Sequence, residues 1–210
     1  YVGLFADRSC HWRRVSLPFQ FSLVEFAQIL GALGLALLGI KGSWFFLKTL
    51  LWGPFSGNAP QKPYRHAISC YLAGIPALLG TSLFIYVLHG GPNPFSVNPD
   101  AYNLWLNNSL GFYVLAFVAA PVCEELVFRG FLQGWLSKYP AFGPQRAIVF
   151  SAVAFAACHI LGGHEWAVAL PVFLIGLILG WIRWSAGSLR AAMMVHAIHN
   201  MVITILSSLP

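Results

Sequence analysis

The chain has 210 residues, of which 58% are hydrophobic and only 9% charged, and its formal net charge is +6. A water-soluble domain carries about 25% charged residues, so this composition excludes a fully solvated surface and requires contact with lipid. The Lys and Arg residues are dispersed beside apolar runs, which assigns their charge to membrane topology and anionic headgroups and leaves no role for nucleic acid.

The sequence starts at Tyr1 with neither Met nor a signal-peptide pattern, and it reads as a piece of a longer chain or as a processed one. A spanning helix needs about 20 mostly apolar residues. Ser22 to Ile40 is the first such run. Lys41 to Trp52, aromatic with two lysines, reads as an interfacial segment or as the extension of a tilted helix. A polar linker over Phe55 to Arg65 leads to the second span, His66 to Leu88, with Pro76 placed to kink it. The Gly-, Pro- and Asn-rich stretch His89 to Tyr102 is a connecting loop. Asn103 to Trp135 is a long helix, apolar over Leu110 to Cys123, with Pro121 placed to bend it just before Glu124. Ala147 to Leu161, Trp166 to Trp184 and Leu189 to Leu209 are three further spans. The expected fold is all-α: a polytopic transmembrane helical bundle with a polar intramembrane active-site cavity. Residues 1–100 form a motif-free membrane region of about two spans, and residues 101–210 a helical core.

Lys62 and Arg65, Lys138 and Arg146, and Arg183 and Arg190 fall in alternate connections, which puts those connections on the cytoplasmic side. Arg8, Arg13 and Arg14 in the N-terminal arm compete for the same side. The four cysteines, Cys10, Cys70, Cys123 and Cys158, form no CxxC and read as small buried hydrophobes.

Ionisable groups inside spans cost about 2.5–3.5 kcal/mol each on insertion scales and usually face a protein interior or a watery cavity. Glu124, Glu125 and Arg129 share one helix, His159 lies on the next, and His196 and Asn200 lie on the last. Glu125 and Arg129 are one helical turn apart and able to pair, as a structural ion pair or as part of a site. Glu124 points about 100° away and is left for other work. Phe155 with His159, and His196 with Asn200, repeat the four-residue spacing. Alone, His159 reads as a core histidine donating to a backbone carbonyl, and His196 with Asn200 as interhelical polar glue. Their co-occurrence with the carboxylate pair favours one common site. His164 and Glu165 read as a solvated loop.

The run Glu124-Glu125-Leu126-Val127-Phe128-Arg129 resembles the Glu-Glu-x-x-x-Arg motif of the CPBP family, the CAAX-processing and bacteriocin-processing or immunity-associated (Abi) membrane proteins. Phe155-Ala-Ala-Cys-His159 and His196-Ala-Ile-His-Asn200 are similar to its second and third motifs, in the family's order, over about Leu110 to Leu209. The resemblance implies an intramembrane glutamic endopeptidase in a bacterial or archaeal cytoplasmic membrane. It acts on a peptide or a membrane-anchored protein. Glu124 would be the general base, His159 would hold the water, and His196 and Asn200 would donate to the oxyanion. Glu125 and Arg129 would support the site. No cofactor is firmly expected. The alternatives are a zinc protease with Glu124, His159 and His196 as ligands, although no HExxH stretch is present; a non-catalytic scaffold or immunity partner; and a transporter with a midplane polar site.

Overall fold

The computed structural model describes residues 60–89, 113–141, 143–161 and 168–207, all helices and their short connections. The predicted Ser22 to Ile40 span, the Lys41 to Trp52 segment, the N-terminal arm, His164 and Glu165 lie outside the described residues, as does the predicted loop beyond His89. Helix α1 runs Pro63–His89 and continues through Pro76. The next helix changes pitch three times without breaking. A π-helix over Leu115–Ala119 leads into an α-helical turn over Ala120–Glu125, then a second π-helix over Leu126–Leu132 and a last α-turn over Gln133–Leu136. Together these four segments are α2. Helices α3 (Gly143–Leu161), α4 (Ala169–Ser185) and α5 (Leu189–Ser207) complete the set.

The runs Pro63–Ile85, Gly143–Leu161 and Leu189–Leu206 are long and apolar enough to cross a membrane, and Ala169–Ser185 is a shorter apolar helix. The outer face of α1 exposes Leu72, Leu79, Leu83, Phe84, Val87 and Leu88. Such a face is a liability in water and an ordinary surface in lipid. Between helices in lipid there is little hydrophobic driving force, so association depends on close packing and interhelical hydrogen bonds.

Helix α4 touches all four other helices, and its contact with α3 is the most extensive. Small residues make that approach close. A Cβ added at Gly176 would lie 3.1 Å from the Ala152 Cβ and 3.2 Å from its Cα. One added at Gly180 would lie 2.9 Å from Ile148 Cγ2. Gly176-Leu-Ile-Leu-Gly180 is thus a small-xxx-small face of the type that draws membrane helices together. The core behind it collects Tyr71 from α1, Phe155 from α3, Ile175, Leu179 and Ile182 from α4, and Val195 from α5.

The partners also fix helix direction. Arg129 and Gln133 of α2 bond Gly176 and Gly180 of α4, so these helices run parallel. Ile148 and Ala152 meet Gly180 and Gly176 in reverse order, so α3 is antiparallel to α4. His66 meets Ser185 and Gly74 meets Ile178, which reverses α1 against α4 as well. His196 reaches Glu125 while Asn200 reaches back to Ala116, which makes α5 antiparallel to α2. These directions gather Lys62, Arg65, Lys138, Arg146, Arg183 and Arg190 at one end of the bundle. The tight α4–α5 connection at that end needs Gly187, whose φ of 65° suits a residue without a Cβ. Ser188 then caps α5 by accepting from the Ala191 N–H at 3.3 Å.

Overpacking a close helix contact costs about 1–3 kcal/mol. Gly176→Val is therefore expected to lower the thermal midpoint of the detergent-solubilised protein. Gly80→Ala, where an added Cβ meets nothing within 4 Å, leaves the midpoint unchanged or raises it. Equal behaviour of the two variants in a thermal unfolding assay contradicts the close-approach account.

Candidate active site

The only carboxylates among the described residues are Glu124 and Glu125. Helical phase separates their environments. Glu125 is fully buried, whereas the Glu124 side chain is 30% exposed. Arg129 Nη1 donates to Glu125 Oε1 at 2.9 Å, the pair that their spacing suggests, and both side chains are fully buried. The second guanidinium nitrogen, Nη2, donates to the Gly176 carbonyl at 3.2 Å. One turn further along α2, Gln133 Nε2 donates to the Gly180 carbonyl at 3.0 Å. The glycines that let α3 approach α4 therefore also bare two carbonyls to α2. Ser151 Oγ ties α3 to α2 by donating to the Phe128 carbonyl at 2.8 Å.

His196 stands between the two carboxylates. Its Nδ1 donates to Glu125 Oε1 at 2.9 Å, and its Nε2 lies 3.6 Å from Glu124 Oε2. The first is a full hydrogen bond and the second is longer than one. A neutral imidazole has a single N–H. With that proton on Nδ1, the Nε2 lone pair faces a carboxylate, whereas an imidazolium presents an N–H to each carboxylate. With His196 protonated, two carboxylates balance one guanidinium and one imidazolium.

Phe155 is the common wall of the site. The Arg129 guanidinium carbon lies 4.4 Å from its ring centroid, within cation–π range. The His159 and His196 rings meet it edge-on at 4.5 and 5.8 Å, and Phe128 at 5.2 Å. His159 Nδ1 donates to the Phe155 carbonyl at 2.9 Å. This is the backbone bond expected of a core histidine, and it leaves Nε2 as the lone-pair nitrogen of the neutral ring. Asn200 Nδ2 donates to the Ala116 carbonyl at 2.9 Å, which occupies one of its two N–H groups.

Of the residues picked out in the sequence, Glu124, Glu125, Arg129 and His196 thus form one constellation directly, His159 joins it through Phe155, and Asn200 anchors the preceding turn of α2. Gln133, Gly176 and Gly180 join these residues without being marked by the spacing of polar side chains. Their signals were the continuing four-residue step 125, 129, 133 and the Gly-xxx-Gly pair. Also unmarked is His199, which is hydrogen-bonded at 3.1 Å to the Tyr71 hydroxyl of α1. Among the described residues no three His, Cys, Asp or Glu side chains are grouped to hold a metal ion. Cys70, Cys123 and Cys158 are free thiols.

A bundle of apolar helices enclosing charged and hydrogen-bonding side chains defines a membrane protein with a polar cluster inside its helical core. Residues 105–202 match the family model described as Type II CAAX prenyl endopeptidase Rce1-like, so this region is similar to the CPBP/CAAX proteases. No curated protein and no solved structure matches the chain. The matched region contains α2 through most of α5 and every site residue named from the sequence, while α1 precedes it.

Leaving one member of a buried ion pair uncompensated costs about 3–5 kcal/mol. Arg129→Met is expected to destabilise the protein by about that amount, and adding Glu125→Gln should recover most of the loss. A thermal or denaturant cycle over the four proteins measures this. Strict additivity of the two changes contradicts the pairing.

Proposed function

We propose that the chain is a CAAX-type intramembrane endopeptidase that cleaves a membrane-anchored protein or peptide, with Glu124 as general base. The observation that carries this reading is the bridging of Glu124 and Glu125 by His196. It separates a fully buried carboxylate that accepts two hydrogen bonds from a partly exposed one that lies 3.6 Å from His196 Nε2. The first is suited to holding the site together and the second to moving a proton.

In the proposed reaction Glu124 takes a proton from a water that the lone-pair Nε2 of His159 helps to hold. The water oxygen bonds to the scissile carbonyl carbon, and the carbonyl oxygen becomes an oxyanion. His196, as the imidazolium with a proton on each ring nitrogen, donates to it from Nε2, and Asn200 donates through its second N–H. Collapse breaks the C–N bond, and Glu124 returns its proton to the leaving amine. Donors preset in a dry site each contribute about 2.7–4 kcal/mol to such a transition state. As Glu124 gains its proton it loses its claim on His196 Nε2, which frees that edge of the ring for the oxyanion. Glu125 and Arg129 support His196 and take no part in bond making.

Residues 101–210 would form the catalytic core and residues 1–100 an additional membrane region of about two spans. The end of the bundle that carries the basic residues would face the cytoplasm. His196 lies about 10 Å along α5 from that end, roughly a third of the way into a ~30 Å hydrocarbon core.

Glu124→Gln keeps the shape of the side chain and removes its basicity. It is expected to lower kcat on an internally quenched prenylated CAAX peptide by about 10²–10⁴-fold, with an unchanged thermal midpoint. A strong chelator should leave wild-type cleavage intact. Cleavage retained by Glu124→Gln overturns the assignment of the base and favours the non-catalytic alternative, whereas loss in chelator with recovery in zinc overturns the metal-free mechanism.

A further inference from the structure

A proline sits at the pitch change that immediately precedes the carboxylates. The Ala120 N–H bonds the Leu115 carbonyl, five residues back. In that register the next bond would run from residue 121 to the Ala116 carbonyl. Residue 121 is proline and has no N–H. The Ala116 carbonyl is therefore orphaned by the sequence, at a depth where an unpaired backbone acceptor costs several kcal/mol. Asn200 of α5 reaches across and donates Nδ2 to it at 2.9 Å. One turn earlier on α5, His196 holds the carboxylate pair that follows Pro121 on α2. The two bonds thus straddle the proline and clamp α2 at both sides of its irregular turn.

We propose that Pro121 and Asn200 are a matched pair, and that Asn200 is a positioning residue which sets the rotation of α2 and so the direction of Glu124. This role is in addition to the oxyanion contact, and its kinetic part rests on the endopeptidase reading. Pro121 opens the helix, Asn200 closes the gap from the side, and Glu124 is presented at the resulting angle. The alternative for Asn200 is that its importance lies wholly in the donor it offers substrate.

Pro121→Ala separates the two. It restores an N–H at position 121, so the Ala116 carbonyl finds a backbone partner in either register. If the turn stays π-helical the restored N–H itself donates, and if it relaxes to an α-helix the Ala120 N–H does. Asn200→Ala alone is expected to lower kcat on the prenylated CAAX peptide on the order of 100-fold, the scale of an ångström-level misplacement, with KM little changed. In the Pro121→Ala background the same Asn200→Ala change should cost about tenfold less, because the clamp is no longer needed. An Asn200→Ala defect of equal size in both backgrounds assigns Asn200 to the oxyanion alone and overturns the proposal.

The thermal midpoint supplies an arm that does not depend on catalysis. Asn200→Ala should lower it more when residue 121 is proline than when it is alanine. Equal shifts in the two backgrounds overturn the matched pair whether or not the protein proves to be a protease. Loss of cleavage by every variant and by wild type, with unequal shifts, would instead remove the endopeptidase reading and leave the clamp standing.

Discussion

A carboxylate and a guanidinium held out of water must neutralise each other, and the Glu125–Arg129 pair is where this bundle meets that demand. The remaining organisation follows from completing the pair. Arg129 has more donors than Glu125 can use, so it takes the Gly176 carbonyl from α4, at the same glycine whose missing Cβ lets α3 pack closely. Glu125 accepts from His196, which fixes the rotation of α5. The guanidinium carbon lies over the Phe155 ring, which locates α3. One ion pair thus has an interest in each of the three helices that follow it in the chain.

The same pair explains how two adjacent residues of one type acquire different surroundings. A step of about 100° around the helix carries Glu124 from the packed interface to the edge of the site, where it retains partial exposure. Pairing in the interior and exposure at the margin follow from that difference in phase. The π-helical segments of α2 lie on either side of the short turn that contains both carboxylates. Such pitch defects often accompany functional sites because they re-aim side chains without ending the helix.

Much of this was legible from residue type and spacing. Five helices lie where apolar runs were expected, with α1 beginning three residues before the predicted His66 and α5 following Leu189 as predicted. The four-residue steps Glu125–Arg129 and Phe155–His159 correspond to contacts because a helix turn brings such residues together whatever surrounds them. Interhelical backbone partners were not legible. Gly176 and Gly180 sit inside an apolar run and carry no polar side chain to announce that their carbonyls serve Arg129 and Gln133. Pro121 was readable as a bend, but the acceptor it strands belongs to Ala116, a residue with no distinguishing side chain. Tyr71 lay in a span with no motif, and its link to His199 depends on how α1 packs against α5. That packing also ties α1, which precedes the matched region, into the same core.

The spacing of these bonds along the chain bears on biogenesis. Arg129 and Gln133 each bond a carbonyl 47 residues downstream, and Glu125 a histidine 71 residues downstream. When α2 leaves the ribosome, neither α4 nor α5 has been made. The polar face of α2 therefore gains its interhelical partners only after the later helices have been made, and until then Arg129 has Glu125, on its own helix, to pair with.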